Sequence, residues 1–217
     1  MIYSSVNDNW ARVSIMHRVA LDYYNSTKDS DFRKRSENKG AVFPFDTVAF
    51  GDMQNERHLV GMVMAWSVIT LESMVNHALA ETFSDRDEII SMIEFPRRYA
   101  DSKNIKNLGN SELAKKIGIL FNGRIPGRGV GNLADKISET RNIIVHDKPF
   151  EMIDHGDGDI EIDYLRKRGN KVLESINFNS LPPFYRDCDA IVERLLTVWG
   201  AASFERKKMS FSSLPTK

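Results

Sequence analysis

QNERHLVGMVMAWSVITLESMVNHALAETF, residues 54–83, decides the fold. Apolar side chains lie on most sides of a helix drawn through this stretch, and such a helix has to be enclosed by others. It predicts the central member of an all-α bundle. Its most apolar part, 59–71, is shorter than a bilayer span and runs directly into Glu72 and Asn76. That argues for burial in protein rather than in lipid.

The flanks supply further helices. Val6, Trp10, Val13, Ala20 and Tyr24 recur at helical spacing over 6–25. A polar connector follows over 27–52, ending in Phe43-Pro44-Phe45 and expected to pack back on the body as a loop. Residues 85–100 predict a helix stopped near Pro96. Residues 110–121, capped by Asn110 or Ser111, place Leu113, Ile117 and Leu120 on one face. After a glycine-rich loop, 122–131, Asn132 is expected to cap a helix reaching His146, with Asp135 in its first turn and Pro149 beyond its end. Residues 155–159 have turn chemistry and 160–164 alternate as a strand does, which predicts a small hairpin. Pro182-Pro183 then open a last helix, 184–206, with Ile191, Leu195, Val198 and Trp199 inward. The expectation is an all-α bundle of four to six helices with a β-hairpin insertion near 154–171. Its parts are an N-terminal helix and connector (1–52), a helical body (53–208) and a flexible tail (209–217).

Composition sets limits on function. A chain of 217 residues, 41% hydrophobic and 10% aromatic, holds enough apolar mass for one folded domain. Thirty basic residues balance thirty acidic ones, so a nucleic-acid partner would need a local basic patch. Cys188 is the only cysteine, which excludes an internal disulfide and a cysteine-based zinc site. The first twenty residues lack the apolar core of a signal peptide. The expectation is a cytoplasmic protein without a membrane partner, a metal or a cofactor.

One motif carries chemistry. Arg141-Asn-Ile-Ile-Val-His146 has the form R-N-x-x-x-H and closes a helix late in the chain. Starting from Leu133, a step of 100° per residue returns Ile137, Thr140 and Ile144 to the core side. That frame puts Asn142 and His146 together on the outward face and Arg141 on the flank between. Arg12-Val-Ser-Ile-Met-His17 repeats the Arg–His spacing but lacks the asparagine. Motifs this short recur by chance. An Arg and a His at a helix C-terminus also serve simply to neutralise its dipole.

The 141–146 motif resembles the signature of the HEPN superfamily, helical bundles that are often RNA-cleaving toxins or defence effectors. The resemblance covers the motif closely and the body, 54–206, in outline. It implies a homodimeric, metal-independent ribonuclease whose catalytic residues are Arg141, Asn142 and His146. Histidine titrates near neutrality and can act as base or acid, while a guanidinium suits the growing charge of a phosphate. An outward face of this kind suits completion by a second copy.

The surroundings extend the expectation. Between Lys115 and Lys148 positive charges exceed negative ones by four, and Arg124, Arg128, Lys136 and Lys148 are candidate RNA contacts. Glu72 and Asn76 share a helix face and are candidate supports for His146, with a water-exposed boundary as the competing reading. The acidic stretch 154–164 lacks the pattern of a calcium loop and reads as a solvated hairpin. His77 and Cys188 read as packing residues. An antitoxin or defence partner is implied by the resemblance. The competing functions are a catalytically inactive HEPN module that binds RNA or nucleotide, and a purely structural helical protein.

Overall fold

The computed structural model describes residues 6–28, 47–105, 109–123, 129–145, 150–154, 160–164, 175–198 and 209–215. Seven α-helices lie among them: α1 (Val6–Thr27), α2 (Thr47–Thr82), α3 (Arg86–Glu94), α4 (Pro96–Ser102), α5 (Glu112–Leu120), α6 (Val130–Val145) and α7 (Leu181–Val198). Two short strands, β1 (Phe150–Asp154) and β2 (Ile160–Tyr164), pair antiparallel with Phe150 opposite Tyr164. The class is all-α.

The long apolar helix is central: α1, α3, α5, α6 and α7 all pack on α2. Val63, Val68, Leu71, Val75, Ala78 and Leu79 retain no solvent exposure. Ser67 and Thr70 are sealed in as well, and each hydroxyl donates to the carbonyl four residues back, at 2.8 Å. Residues Asn55–Thr82 are apolar and long enough to cross a bilayer, contrary to the estimate from 59–71, but 61% of that apolar window is buried by the other helices. At Gly61 α2 comes so close to α6 that an added Cβ would lie 3.0 Å from Ile144 Cγ2.

Several expectations need correction. The bundle exceeds four to six helices because 85–100 divides at Phe95. Pro96 opens α4 where it was expected to stop a helix, since a first-turn residue has no helical acceptor for the amide that proline lacks. α2 begins at Thr47, within the expected connector, and Val6, Val13 and Ala20 of α1 join the same core as α2. The rest of the connector, including Phe43-Pro44-Phe45, lies outside the described residues. α6 starts at Val130, so Asn132 is an exposed residue inside it and not its cap. Asp135 serves the neighbouring helix: its carboxylate accepts from the amides of Asn110 (3.0 Å) and Ser111 (2.7 Å), and Ser111 Oγ accepts from Ala114 N. α5 ends with Asn122 at φ 50° and Gly123 N bonded to Gly118 O at 2.8 Å, a left-handed C-cap. β1 begins at Phe150, ahead of 154. α7 begins at Leu181, three residues before 184, and Trp199 lies outside the described residues.

The largest correction concerns the tail. Residues 209–215 are docked, not loose. Phe211 has no solvent exposure and meets Trp10 edge-on, with ring centroids 5.0 Å apart. Asp189 of α7 accepts from the amides of Phe211 (2.8 Å) and Ser212 (2.9 Å) and from the Ser210 hydroxyl (3.1 Å). His17 completes the seam. Its Nε2 bonds the Pro215 carbonyl, which can only accept, so Nε2 carries the proton; Nδ1 then accepts from the Tyr185 hydroxyl at 2.6 Å. Burial holds the His17 imidazole below the ordinary histidine range, with the Pro215 bond opposing.

Two outcomes follow. Phe211→Ala should lower unfolding free energy by about 3–5 kcal/mol, the usual loss for an enclosed phenylalanine, with a matching drop in urea midpoint. An unchanged midpoint would mean that the segment does not dock. For His17 the folded pKa lies below the unfolded value of 6.5, so below that value the unfolded chain binds more protons. Its stabilisation is therefore complete above about pH 6.5 and is lost as pH falls from there towards the folded value. Between about pH 7.5 and about pH 5.5 wild type should lose more stability than His17→Gln, and equal losses would refute the assignment.

Candidate functional site

Val130, Ala134, Ile137 and Ser138 bury one stripe of α6 against the body. Continued by one turn, that stripe reaches Arg141. Its side chain, 26% exposed, therefore turns towards α2 and does not lie free on the flank. There Arg141 Nη2 alone donates to both oxygens of Glu72, at 3.1 and 3.4 Å. Nη1 donates to Asn142 Oδ1 at 2.9 Å, and the buried Nε–H has no acceptor. The guanidinium is not fully engaged. A carboxylate gripped fork to fork would use two parallel N–H bonds, and this one is straddled by a single nitrogen.

Two further polar groups lie on the helices that carry or flank that pair. Asn76, one turn along α2 from Glu72, has a buried Oδ1 with no donor. Lys116 projects from α5, which packs on both α2 and α6, and is only 6% exposed. Burial pulls its ammonium below the ordinary lysine value; the carboxylates of Glu72 and Glu112 raise it again, and the Arg141 charge lowers it. Glu72, Lys116 and Arg141 thus share one electrostatic neighbourhood drawn from three helices.

The expected residues divide into groups. Arg141 and Asn142 are brought together at the C-terminal end of α6, with Asn142 exposed. Glu72, its side chain 21% exposed, stands at the boundary of the core and pairs with Arg141; the expected partner, His146, lies outside the described residues. Lys136 is exposed and bonds Asp187 at 2.6 Å, beside a cleft of about 270 Å³ between α6 and α7 that Thr140, Met64 and Phe184 also line. His146, Arg124, Arg128 and Lys148 lie outside the described residues. So does the turn of the hairpin, 155–159.

The rival Arg–His pair has other employment. Arg12 lies over the Trp66 ring at 4.7 Å, and His17 is sealed at the seam of α1, α7 and the C-terminal segment. Cys188 is fully buried, and His77 pairs with Glu81 one turn along α2, at 3.1 Å. Lys116 was missed as a site residue. The spacing 113, 116, 117, 120 sets it within the apolar stripe of α5, and a lysine in such a slot is the signal that would have found it.

No family model matches the chain, and no curated protein or solved structure matches it either. The chemistry therefore rests on the geometry. A half-buried guanidinium with a spare donor and an exposed amide lie side by side at a helix end, a pairing suited to an oxyanion.

Glu72→Ala should leave Arg141 without its carboxylate and cost about 1–3 kcal/mol in urea unfolding, the loss expected when a charged donor is deprived of its partner. Glu72→Gln, which keeps an acceptor, should lose less. Equal stability of wild type and the alanine variant would show that the pair is idle.

Proposed function

We propose that the chain is a HEPN-type ribonuclease that cleaves RNA without a metal at a site completed by a second copy. The observation that supports it is the held position of Arg141: Glu72 and Asn142 fix the guanidinium at the end of α6, five residues before His146 in the sequence. A side chain fixed in this way loses little entropy on meeting a phosphate.

In the proposed reaction the 2′-oxygen of RNA attacks the adjacent phosphorus. The new bond is 2′-O–P, and the bond that breaks is P–O5′. One His146 takes the 2′-hydroxyl proton, and the partner copy's equivalent imidazolium gives its proton to the leaving 5′-oxygen. Arg141 takes up the charge that grows on the non-bridging oxygens. Asn142, exposed beside it, hydrogen-bonds the phosphate or the imidazole. The products are a 2′,3′-cyclic phosphate and a 5′-hydroxyl. Lys136, Arg124, Arg128 and Lys148 supply the backbone contacts, and the cellular setting is that of a cytoplasmic toxin or defence effector held in check by a partner protein.

A second reading has one observation in its favour. Because Arg141 already has a carboxylate, the pair is also what a plain interhelical tie looks like, and the module would then bind RNA without cutting it. Single-stranded RNA incubated with the protein and excess EDTA separates the two. Wild type should cleave; His146→Ala and Arg141→Ala should each lose about 10²–10⁴-fold in rate, the range for a general acid or base and a charge-stabilising donor. Salt-sensitive RNA binding with no cleavage favours the second reading.

A further inference from the structure

We propose that residues 209–215 form a pH-released strap: protonation of His17 frees them from the seam of α1 and α7 while the rest of the bundle stays folded. The strap is independent of the ribonuclease reading.

What His17 touches is the first argument. Its ring ties the strap to a helix, with Nδ1 accepting from the Tyr185 hydroxyl of α7 at 2.6 Å and Nε2–H donating to the Pro215 carbonyl. Only the neutral ring can do both. A second proton, on Nδ1, would point a donor at the Tyr185 oxygen. The phenol O–H would then have to turn away in a site where Tyr185 has no solvent exposure, and lose its acceptor. Burial pushes the Tyr185 phenol up, so it stays a neutral donor and cannot serve as a phenolate counter-ion.

The second is the want of a counter-charge. The strap, Met209-Ser-Phe-Ser-Ser-Leu-Pro215, has no ionisable side chain. One turn away on α1, Val13, Ser14, Ala20 and Leu21 have none either. The short 3-10 turn Phe178–Ser180 brings its Phe178 ring to 5.9 Å from the imidazole and carries no charge. Behind it, Glu56 of α2 accepts from the Phe178 amide. α7 adds Cys188, whose thiol burial also pushes up, and Asp189, whose two oxygens accept from Ser210, Phe211 and Ser212 of the strap itself. An imidazolium at His17, 1% exposed, would thus have no carboxylate bonded to it among the described residues.

The third is that the strap is the cover. Ser212, Ser213 and Pro215 are exposed on its outer side and Phe211 is sealed beneath, so lifting it opens His17 to water and leaves the helices in place. Lifted, His17 titrates as an ordinary histidine near 6.5; closed, burial holds it lower. By linkage, the ratio of lifted to closed strap rises about tenfold for each pH unit from about 6.5 down to the closed value.

Hydrogen exchange of the full chain tests the strap, read amide by amide by NMR and corrected for the intrinsic pH dependence of exchange. The amides of Phe211 and Ser212, both bonded to Asp189, should lose about tenfold in protection per pH unit as pH falls from about 6.5 towards the closed value. Amides sealed in α2, such as those of Val68 and Leu71, should stay better protected than the strap throughout. His17→Gln can donate to Pro215 and accept from Tyr185 but gains no proton, so its strap protection should hold constant. Strap amides as well protected as those of α2 would open only with the whole bundle, which overturns the proposal. The same pH dependence in wild type and His17→Gln also overturns it and passes the effect to another group, Asp189 first. If His17→Gln does not fold, the ring resonances of wild-type His17 take its place: strap protection that stays level across the pH range in which the ring titrates overturns the proposal.

Discussion

The enclosure of α2 is the constraint on which the rest of the structure depends. A helix apolar on nearly all sides can be stable in water only when other elements cover it, and five helices do so here. Enclosure also dictates what happens to the polar residues that α2 carries. Ser67 and Thr70 turn back onto their own backbone. Glu56 spends its carboxylate on the Phe178 amide at the entry to α7. Glu72 has no such local outlet and meets a cation from α6. The candidate site is thus a by-product of burying a carboxylate in the wall of the central helix.

Much of this was legible in the residues. The apolar run at 54–83 required an interior helix, and the pattern 113, 117, 120 required a buried face on α5. The R-N-x-x-x-H motif directed attention to the end of α6, where Arg141 meets Glu72. What one chain's periodicity could not supply was the rotation of α6. A core frame through Leu133, Ile137, Thr140 and Ile144 and a frame through Val130, Ala134, Ile137 and Arg141 share Ile137 and differ by a modest turn of the helix. Both frames reach the core, since Leu133, Ile137 and Ile144 pack on it as well as Val130 and Ala134, and the buried arc extends to Arg141, which meets Glu72. Lys116 was hidden because a lysine within an apolar stripe can lie at its edge, and only the packing of α5 on both α2 and α6 encloses it. The docked segment escaped because Met209, Phe211 and Leu214 are too few to give a period, and because the acceptor that fixes them, Asp189, is remote in sequence.

The two Arg–His pairs make a useful contrast. Spacing treats them alike, and their surroundings do not. Arg12 and His17 are spent on ring stacking and on a hydrogen-bonded seam, where loss would be felt as instability. Arg141 keeps unspent donors at a half-open corner. Satisfied polar groups hold a fold together, whereas incompletely satisfied ones are where chemistry has room to act.

The docking of residues 209–215 also bears on how the chain reaches this structure. His17 meets Pro215 across 198 residues, and Trp10 closes on Phe211. Until that late segment has been synthesised, α1 lacks part of its packing surface, however early it emerges. Completing the seam means closing a loop almost as long as the chain, which places it among the slow, entropy-limited events of assembly. A nascent chain would pass through a stage with its N-terminal helix incompletely covered, and a partner able to cover that helix would have its opportunity then.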